Sequence, residues 1–122
     1  MTENEISEWL SFGMDIGAHT KTHPDLTNIS EKKAKKEIMG CKFELEKKFK
    51  VTVNDFCYPF GHLNELVCSI VKDSGYLLAV SMQRGRANSK SNRLMLPRIP
   101  INHRTLPYSF LLKILTRYED RR

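Results

Sequence analysis

At 122 residues the chain is sized for one small domain, and a 40% share of hydrophobic residues is enough to give it a core. Charged residues at 28% and a mean hydropathy of −0.44 describe a water-soluble chain, and no apolar run approaches the roughly 20 residues that span a bilayer. The net charge of +6 leaves anionic partners open, whereas three separated cysteines with no Cys-x-x-Cys spacing argue against a zinc knuckle or a dithiol redox motif.

The chain opens on an acidic, polar stretch, Met1 to Glu5, that does not read as a signal peptide. Over 3–12, Ile6, Trp9 and Leu10 fall at helical spacing; Thr2 suits the N-cap, Glu5 completes a capping box, and Gly13 stops the helix. Met14, Ile16 and Ala18 then alternate with Asp15, Gly17 and His19, which predicts a strand over 14–18.

The loop that follows, Gly17-Ala18-His19-Thr20-Lys21-Thr22-His23-Pro24, places two of the four histidines four residues apart. Pro24 pushes His23 out of the α region, and Thr20 stands where the helical His-Glu-x-x-His motif has its glutamate. Two imidazoles in a strand-to-loop turn can converge on a metal ion, although a pair of surface or hydrogen-bonded histidines leaves the same trace in a sequence.

Ser30 caps the next helix, in which Ala34, Ile38, Cys41, Leu45 and Phe49 form an apolar stripe. Lys32, Lys33, Lys35, Lys36, Lys47, Lys48 and Lys50 interleave with Glu31, Glu37, Glu44 and Glu46. A solvated helix face accounts for this better than a nucleic-acid site, and no aromatic-plus-basic repeat supports base stacking. Val51, Val53 and Phe56 to Tyr58 suggest a strand halted by Pro59-Phe60-Gly61. A helix over 63–74 carries Leu66, Val67, Ile70 and Val71, Gly75 ends it, and Tyr76 to Val80 reads as a buried strand. Arg84 to Arg93 is a polar loop, Leu94 to Ile101 is extended around Pro97 and Pro100, and a last helix spans 107–118. Cys41, Cys57 and Cys68 sit among apolar residues, as small hydrophobes.

Alternation of this kind predicts an α/β fold with a parallel sheet and flanking helices. Ligands in such sheets gather beyond the carboxyl ends of the strands. The histidine loop and the Tyr58-Pro59-Phe60-Gly61 turn each follow a predicted strand, so both are expected on that rim.

Asp15 to Leu26, with His19 and His23, closely resembles the second motif of the polysaccharide deacetylases, the NodB-homology group of carbohydrate esterase family four. Phe56-Cys57-Tyr58-Pro59-Phe60-Gly61 resembles the third motif of the branch that acts on poly-N-acetylglucosamine. Asn64-Glu65, Gly75-Tyr76 and Leu96 to Pro100 fall where that branch has similar residues. The resemblance spans about 2–101 and treats 1–122 as a single domain like the C-terminal portion of a deacetylase domain. It implies a partial or distorted (β/α) barrel and metal-dependent removal of acetyl groups from N-acetylated polysaccharide. His19 and His23 would bind a divalent metal, usually zinc, while Tyr58, Pro59, Phe60 and Gly61 would shape the sugar site, with an oxyanion-holding N–H from the Tyr58 region. The family is often exported or tied to the cell surface, but the sequence assigns no compartment.

The chain departs from the family pattern in several places. It contains no Asp-Asp pair, so the family's catalytic base and third metal ligand have no counterpart, and only 18 residues precede His19. Phe56 replaces the arginine that opens the third motif in the broader family, as in the exopolysaccharide branch. The late Leu-x-His motif has no good match, and His103 reads as a surface histidine. Asp15 shares strand parity with His19 but lies about 13 Å upstream at ~3.3 Å per residue. Asp25 reads as a turn residue with a supporting role, His62 as exposed, and Arg98 as a residue that orients a carboxylate or caps the sheet edge. A non-catalytic carbohydrate-binding or assembly protein on the same scaffold is the alternative, and a basic nucleic-acid-binding domain is a third, weaker one. Open sheet edges lead us to expect self-association.

Overall fold

In a computed structural model that describes residues 1–121, four α-helices accompany the three strands of a small parallel sheet. Helix α1 (Glu3–Ser11) starts at the expected capping box: the Thr2 hydroxyl accepts the Glu5 N–H at 3.3 Å and Glu5 accepts the Thr2 N–H at 2.5 Å. Gly13, at φ +78°, lets the chain turn back, and the Trp9 indole N–H then holds the Asp15 carbonyl at 3.2 Å.

Helix α2 (Glu31–Phe49) is capped by Ser30 and buries Ala34, Ile38 and Cys41 of its apolar stripe. Helix α3 (Glu65–Asp73) is capped by Asn64, whose side-chain oxygen accepts the Val67 N–H at 2.9 Å, and it buries Val67, Ile70 and Val71. Both helices contribute to one core with Val53, Phe56, Tyr58, Tyr76 and Ala79. The Phe56 ring meets Tyr58 edge-on at 5.2 Å and Tyr76 at 5.1 Å.

The sheet has the order β1 (Asp55–Cys57), β2 (Leu78–Arg84), β3 (Leu96–Arg98), all parallel. Asp55, Phe56 and Cys57 face Leu78, Ala79 and Val80. A register shift separates the Val80↔Leu96 and Arg84↔Arg98 pairs, and the buried Ser81 hydroxyl bridges it by donating to the Leu96 carbonyl at 3.3 Å and accepting the Gln83 N–H at 3.2 Å. Along β2, Ala79 and Ser81 are buried whereas Leu78 and Met82 are exposed. The sheet is thus covered on the face that carries the core and open on the other.

Three expectations are corrected. The strand over 14–18 shrinks to a single parallel bridge, Ala18 to Phe56, beside the outer edge of β1. Its neighbour Gly17 approaches so closely that a Cβ there would lie 3.3 Å from the Asp55 carbonyl oxygen, which permits the bridge but offers no ladder to extend it. Tyr76 precedes β2: its ring enters the core and its hydroxyl donates to the Ile38 carbonyl at 3.0 Å, so the strand begins at Leu78 and runs on to Arg84. Helix α4 (Pro107–Leu115) is shorter than 107–118 and buries none of its residues. Beyond it the buried Glu119 lies 2.9 Å from the Lys113 ammonium and 3.9 Å from Arg84, as ion pairs rather than directed hydrogen bonds.

Candidate functional site

The Ala18 bridge fixes the first histidine. The Ala18 N–H donates to the Asp55 carbonyl at 2.8 Å, and the Cys57 N–H donates to the Ala18 carbonyl at 2.9 Å. The chain therefore leaves the rim of the sheet at His19, whose Nδ1 lies 2.7 Å from the Cys57 carbonyl oxygen. A carbonyl only accepts, so Nδ1 carries the proton and Nε2 keeps its lone pair for a ligand's role. Thr20 and His23 both take left-handed backbone angles, φ 63° and 55°, consistent with the expectation that His23 is not helical. The Thr20 hydroxyl closes this turn, donating to the His19 carbonyl at 2.5 Å and accepting the His23 N–H at 3.1 Å. The two imidazole rings stand 4.7 Å apart at 72°.

The third-motif turn reaches the same place from the end of β1. Phe60, at φ 56°, sets its exposed ring edge-on to His23 at 4.7 Å. Pro59 is buried beneath it. Gly61, at φ +68°, passes so close to β2 that a Cβ there would lie 2.5 Å from the Met82 backbone nitrogen. Tyr58 plays a different part from the one expected: it is 1% exposed, its hydroxyl donates to the Leu94 carbonyl at 2.8 Å, and its N–H donates to the Val80 carbonyl at 3.2 Å. Burial pushes its phenol well above the usual tyrosine range. Neither polar group of Tyr58 faces a ligand. The Gly61 N–H is taken by the Tyr58 carbonyl at 2.9 Å and proline has none, which leaves the Phe60 N–H as the amide of this turn without an acceptor among the described residues.

Helix α2 holds the histidine loop from below, through residues read from the sequence as solvated or merely apolar. The Glu37 carboxylate accepts the Lys21 N–H at 2.8 Å, the Thr22 N–H at 2.9 Å and the Thr22 hydroxyl at 2.8 Å. Desolvation alone would raise the Glu37 carboxyl, but the hydrogen bonds from Thr22 and Lys21 outweigh it and hold the group below its ordinary range. The Lys21 ammonium pairs with Glu44. Burial raises the Cys41 thiol above its ordinary range. Gly40 leaves room beneath the Lys21 side chain, 3.3 Å from where a Cβ would sit. The sequence signal for Glu37 was a carboxylate in a mixed-charge helix, and nothing local distinguishes it from Glu31, which makes an ordinary pair with Lys35 at 2.6 Å.

Asp25 is a turn residue as expected. Its carboxylate accepts from the Thr27 N–H and hydroxyl at 3.0 and 2.7 Å, from the Asn28 amide at 2.8 Å, and lies 2.9 Å from His62 Nδ1. The Thr27 hydroxyl and then His62 hold its carboxyl down at about 2. His62 is exposed but not idle, since this contact ties the third-motif turn to the end of the histidine loop. Arg98 reaches from β3 to the carbonyl of Ser81 on the central strand β2, Nε to oxygen at 2.7 Å, and so fills the gap left by the register shift rather than capping an edge. Asp15 is exposed, and His103 is exposed in the turn closed by the Thr105 N–H on the Asn102 carbonyl at 2.9 Å.

Beside His19 the open face of the sheet forms a groove of about 420 Å³, lined by Asp55, Cys57, Leu78, Val80 and Leu96. The two imidazoles suit a metal such as zinc as two of its ligands, one of them already oriented by a carbonyl. Among the described residues no three His, Cys, Asp or Glu side chains group into a fuller cage.

A family model described as polysaccharide deacetylase matches residues 1–79. The Streptococcus pyogenes deacetylase PplD, solved with acetate, superposes with a TM-score of 0.89 at 28% identity, over 93% of this chain and 50% of that one. BC0361, a polysaccharide deacetylase from Bacillus cereus, gives a TM-score of 0.86 at 29% identity, over 93% and 36%. YxkH of Bacillus subtilis (strain 168), named for the polysaccharide deacetylases, is 24% identical over 102 residues, 84% of this chain and 37% of that protein. The chain thus spans between about a third and a half of the length of these relatives. Its parallel strands and flanking helices are part of the distorted barrel of this fold.

Proposed function

The chain belongs to the polysaccharide deacetylase family, and from that premise we propose that it carries the two-histidine half of a metal centre and the sugar-facing turn of an enzyme that hydrolyses acetamide groups on an N-acetylglucosamine-type polysaccharide. The observation that carries this reading is the convergence of His19, His23 and Phe60 from two separate rim loops, with rings 4.7 Å apart in each neighbouring pair. His19 Nε2 and the His23 ring are the groups that would hold a divalent metal, zinc being the best fit to imidazole donors. Such an ion, when bound, supplies Lewis-acid polarisation of an acetyl carbonyl and a more acidic water.

The chain's own residues contribute the rest. The Cys57 carbonyl fixes the His19 tautomer, Glu37 fixes the loop, and the exposed Phe60 ring offers a sugar an apolar face. The free Phe60 N–H is the turn's donor for the oxygen of a tetrahedral intermediate. Asp25, the carboxylate that closes the end of the histidine loop, is committed to Thr27, Asn28 and His62 and is not free to act as a base. We therefore assign metal and sugar binding to these 122 residues, with turnover dependent on a carboxylate from outside them.

The test is zinc titration calorimetry on the wild type and on the His19→Ala, His23→Ala double variant, with acetate release from a chitin oligomer measured in parallel. Zinc uptake that disappears in the variant supports the reading. Equal uptake in both proteins sinks it, and acetate release by the chain alone removes the claim that its base lies elsewhere.

A further inference from the structure

The strongly basic loop Arg84 to Arg93 has no part in the site so far described. It borders a cleft of about 800 Å³ at the carboxyl end of β2, whose walls include Gln83, Arg84, Arg86, Asn88, Arg117 and Asp120. Three arginines line this space with one aspartate. The cleft is also built rather than merely basic. The Arg86 N–H donates to Asp120 Oδ1 at 2.8 Å, and the Arg86 guanidinium reaches the Thr116 carbonyl at 3.2 Å. Arg84 is steered by the buried Glu119, whose charge Lys113 already balances at 2.9 Å. Asn88 and Ser91 pin the loop through the Asn88 N–H to the Ser91 hydroxyl at 3.0 Å and the Lys90 N–H to Asn88 Oδ1 at 2.9 Å. The exposed Arg117 guanidinium has no partner among the described residues.

The cleft lies on the rim that carries the histidines. Gly61 packs on Met82, and Arg84 follows two residues later, about 7 Å along the strand at ~3.3 Å per residue. Arginine forks match the paired oxygens of carboxylates and phosphates.

We propose that the Arg84, Arg86 and Arg117 cleft is a subsite for an oxyanion, a carboxylate or a phosphate, borne by the polysaccharide next to the unit held at the histidines. The subsite rests on the proposed function for its polymer, but its chemistry is separable from it.

The experiment is a titration of isotope-labelled protein followed by amide NMR shifts, at low and high salt. The probes are a neutral N-acetylglucosamine oligomer, an oligomer of equal length alternating with glucuronic acid, inorganic phosphate, and a short single-stranded oligonucleotide. We expect the acidic oligomer to bind at least about ten-fold more tightly than the neutral one, with a preference that shrinks in salt. We expect that ratio to fall to near one in the Arg86→Gln, Arg117→Gln variant. Arg117→Gln alone, which breaks no contact among the described residues, keeps the test if the double variant misfolds. Phosphate moving the cleft amides where the uronate oligomer does not would identify the oxyanion as phosphate. Shifts around His19 and His23 with both oligomers and none in the cleft would overturn the subsite alone. Cleft shifts with the acidic oligomer and none at the histidines with either would overturn the proposed function alone. A ratio near one in the wild type, a ratio kept in the variants, or tighter binding of the oligonucleotide than of the acidic oligomer overturns the subsite.

Discussion

Glu37 grips Thr22 twice, through its backbone N–H at 2.9 Å and its hydroxyl at 2.8 Å, so a helix carboxylate sets the path of a loop residue 15 positions earlier in the chain. Glu37→Gln keeps one acceptor oxygen and loses the charge. We expect it to cost about 1–3 kcal/mol of stability, the range for hydrogen bonds to a charged group. We also expect zinc affinity to fall about ten-fold, as for other residues that orient metal ligands. Calorimetric unfolding and zinc titration check both numbers, and unchanged zinc affinity would separate Glu37 from the site.

The same carboxylate predicts a pH dependence. Its folded pKa lies below its ordinary value, so its contribution is full above the unfolded range near ~4.3 and is lost as pH falls through the lowered folded value. Between neutral pH and the acid range the wild type should lose more stability than Glu37→Gln does. Parallel melting curves for the two proteins, without metal, would show no such gap if the carboxylate were merely solvated.

Gly61→Ala should be the most damaging small substitution at the site. It combines a left-handed backbone, about 1–2 kcal/mol for a side chain, with a collision against the Met82 backbone that adds overpacking cost of about 1–3 kcal/mol. A total loss of about 2–5 kcal/mol in denaturant unfolding is expected. A loss below half a unit of that scale would mean the turn stands clear of β2.

Tyr58→Phe tells core from site. Removing the hydroxyl strands the Leu94 carbonyl and should cost about 1 kcal/mol. Because the ring and its hydroxyl lie inside the core, the dissociation constant for a sugar oligomer should stay within two-fold, on the order of measurement scatter. Phe60→Ala should do the reverse, weakening the oligomer with little effect on stability, since that ring is half exposed.

The open sheet face predicts association. Leu78 and Met82 are exposed on it, and α4 adds Leu111 and Leu115. Sedimentation should show concentration-dependent dimers that Leu78→Glu reduces; a monomer throughout the range would end that expectation.

What the sequence displayed was local. Thr2 with Glu5, Ser30 and Asn64 carry their caps in their own neighbourhoods, Gly13 and Gly75 mark turns by their freedom at positive φ, and Pro24 reports on His23 directly. The stripe from Ala34 to Phe49 shows its period on a single helix. What stayed hidden depends on distant partners. Met14 to Ala18 alternate like a strand, yet only Ala18 bridges to one. Tyr58 sits inside a motif that suggested sugar contact, but its hydroxyl is claimed by Leu94, 36 residues on. Glu37 looks like any helix glutamate until the fold brings Thr22 to it.

The histidine loop has a consequence for the order in which the molecule assembles. Thr20 and His23 adopt left-handed backbone angles, and beyond the Thr20 hydroxyl the supports of their loop come from far along the chain: Glu37, 15 residues from Thr22, and Cys57, 38 residues from His19. Such loops close late, because the chain between the contacts must first lose its freedom. During refolding, helix signal should therefore return before the chain can hold metal, and gentle destabilisation should silence the histidines while α2 and α3 remain formed. Retention of the proposed metal would then be a more sensitive gauge of the intact molecule than its helix content.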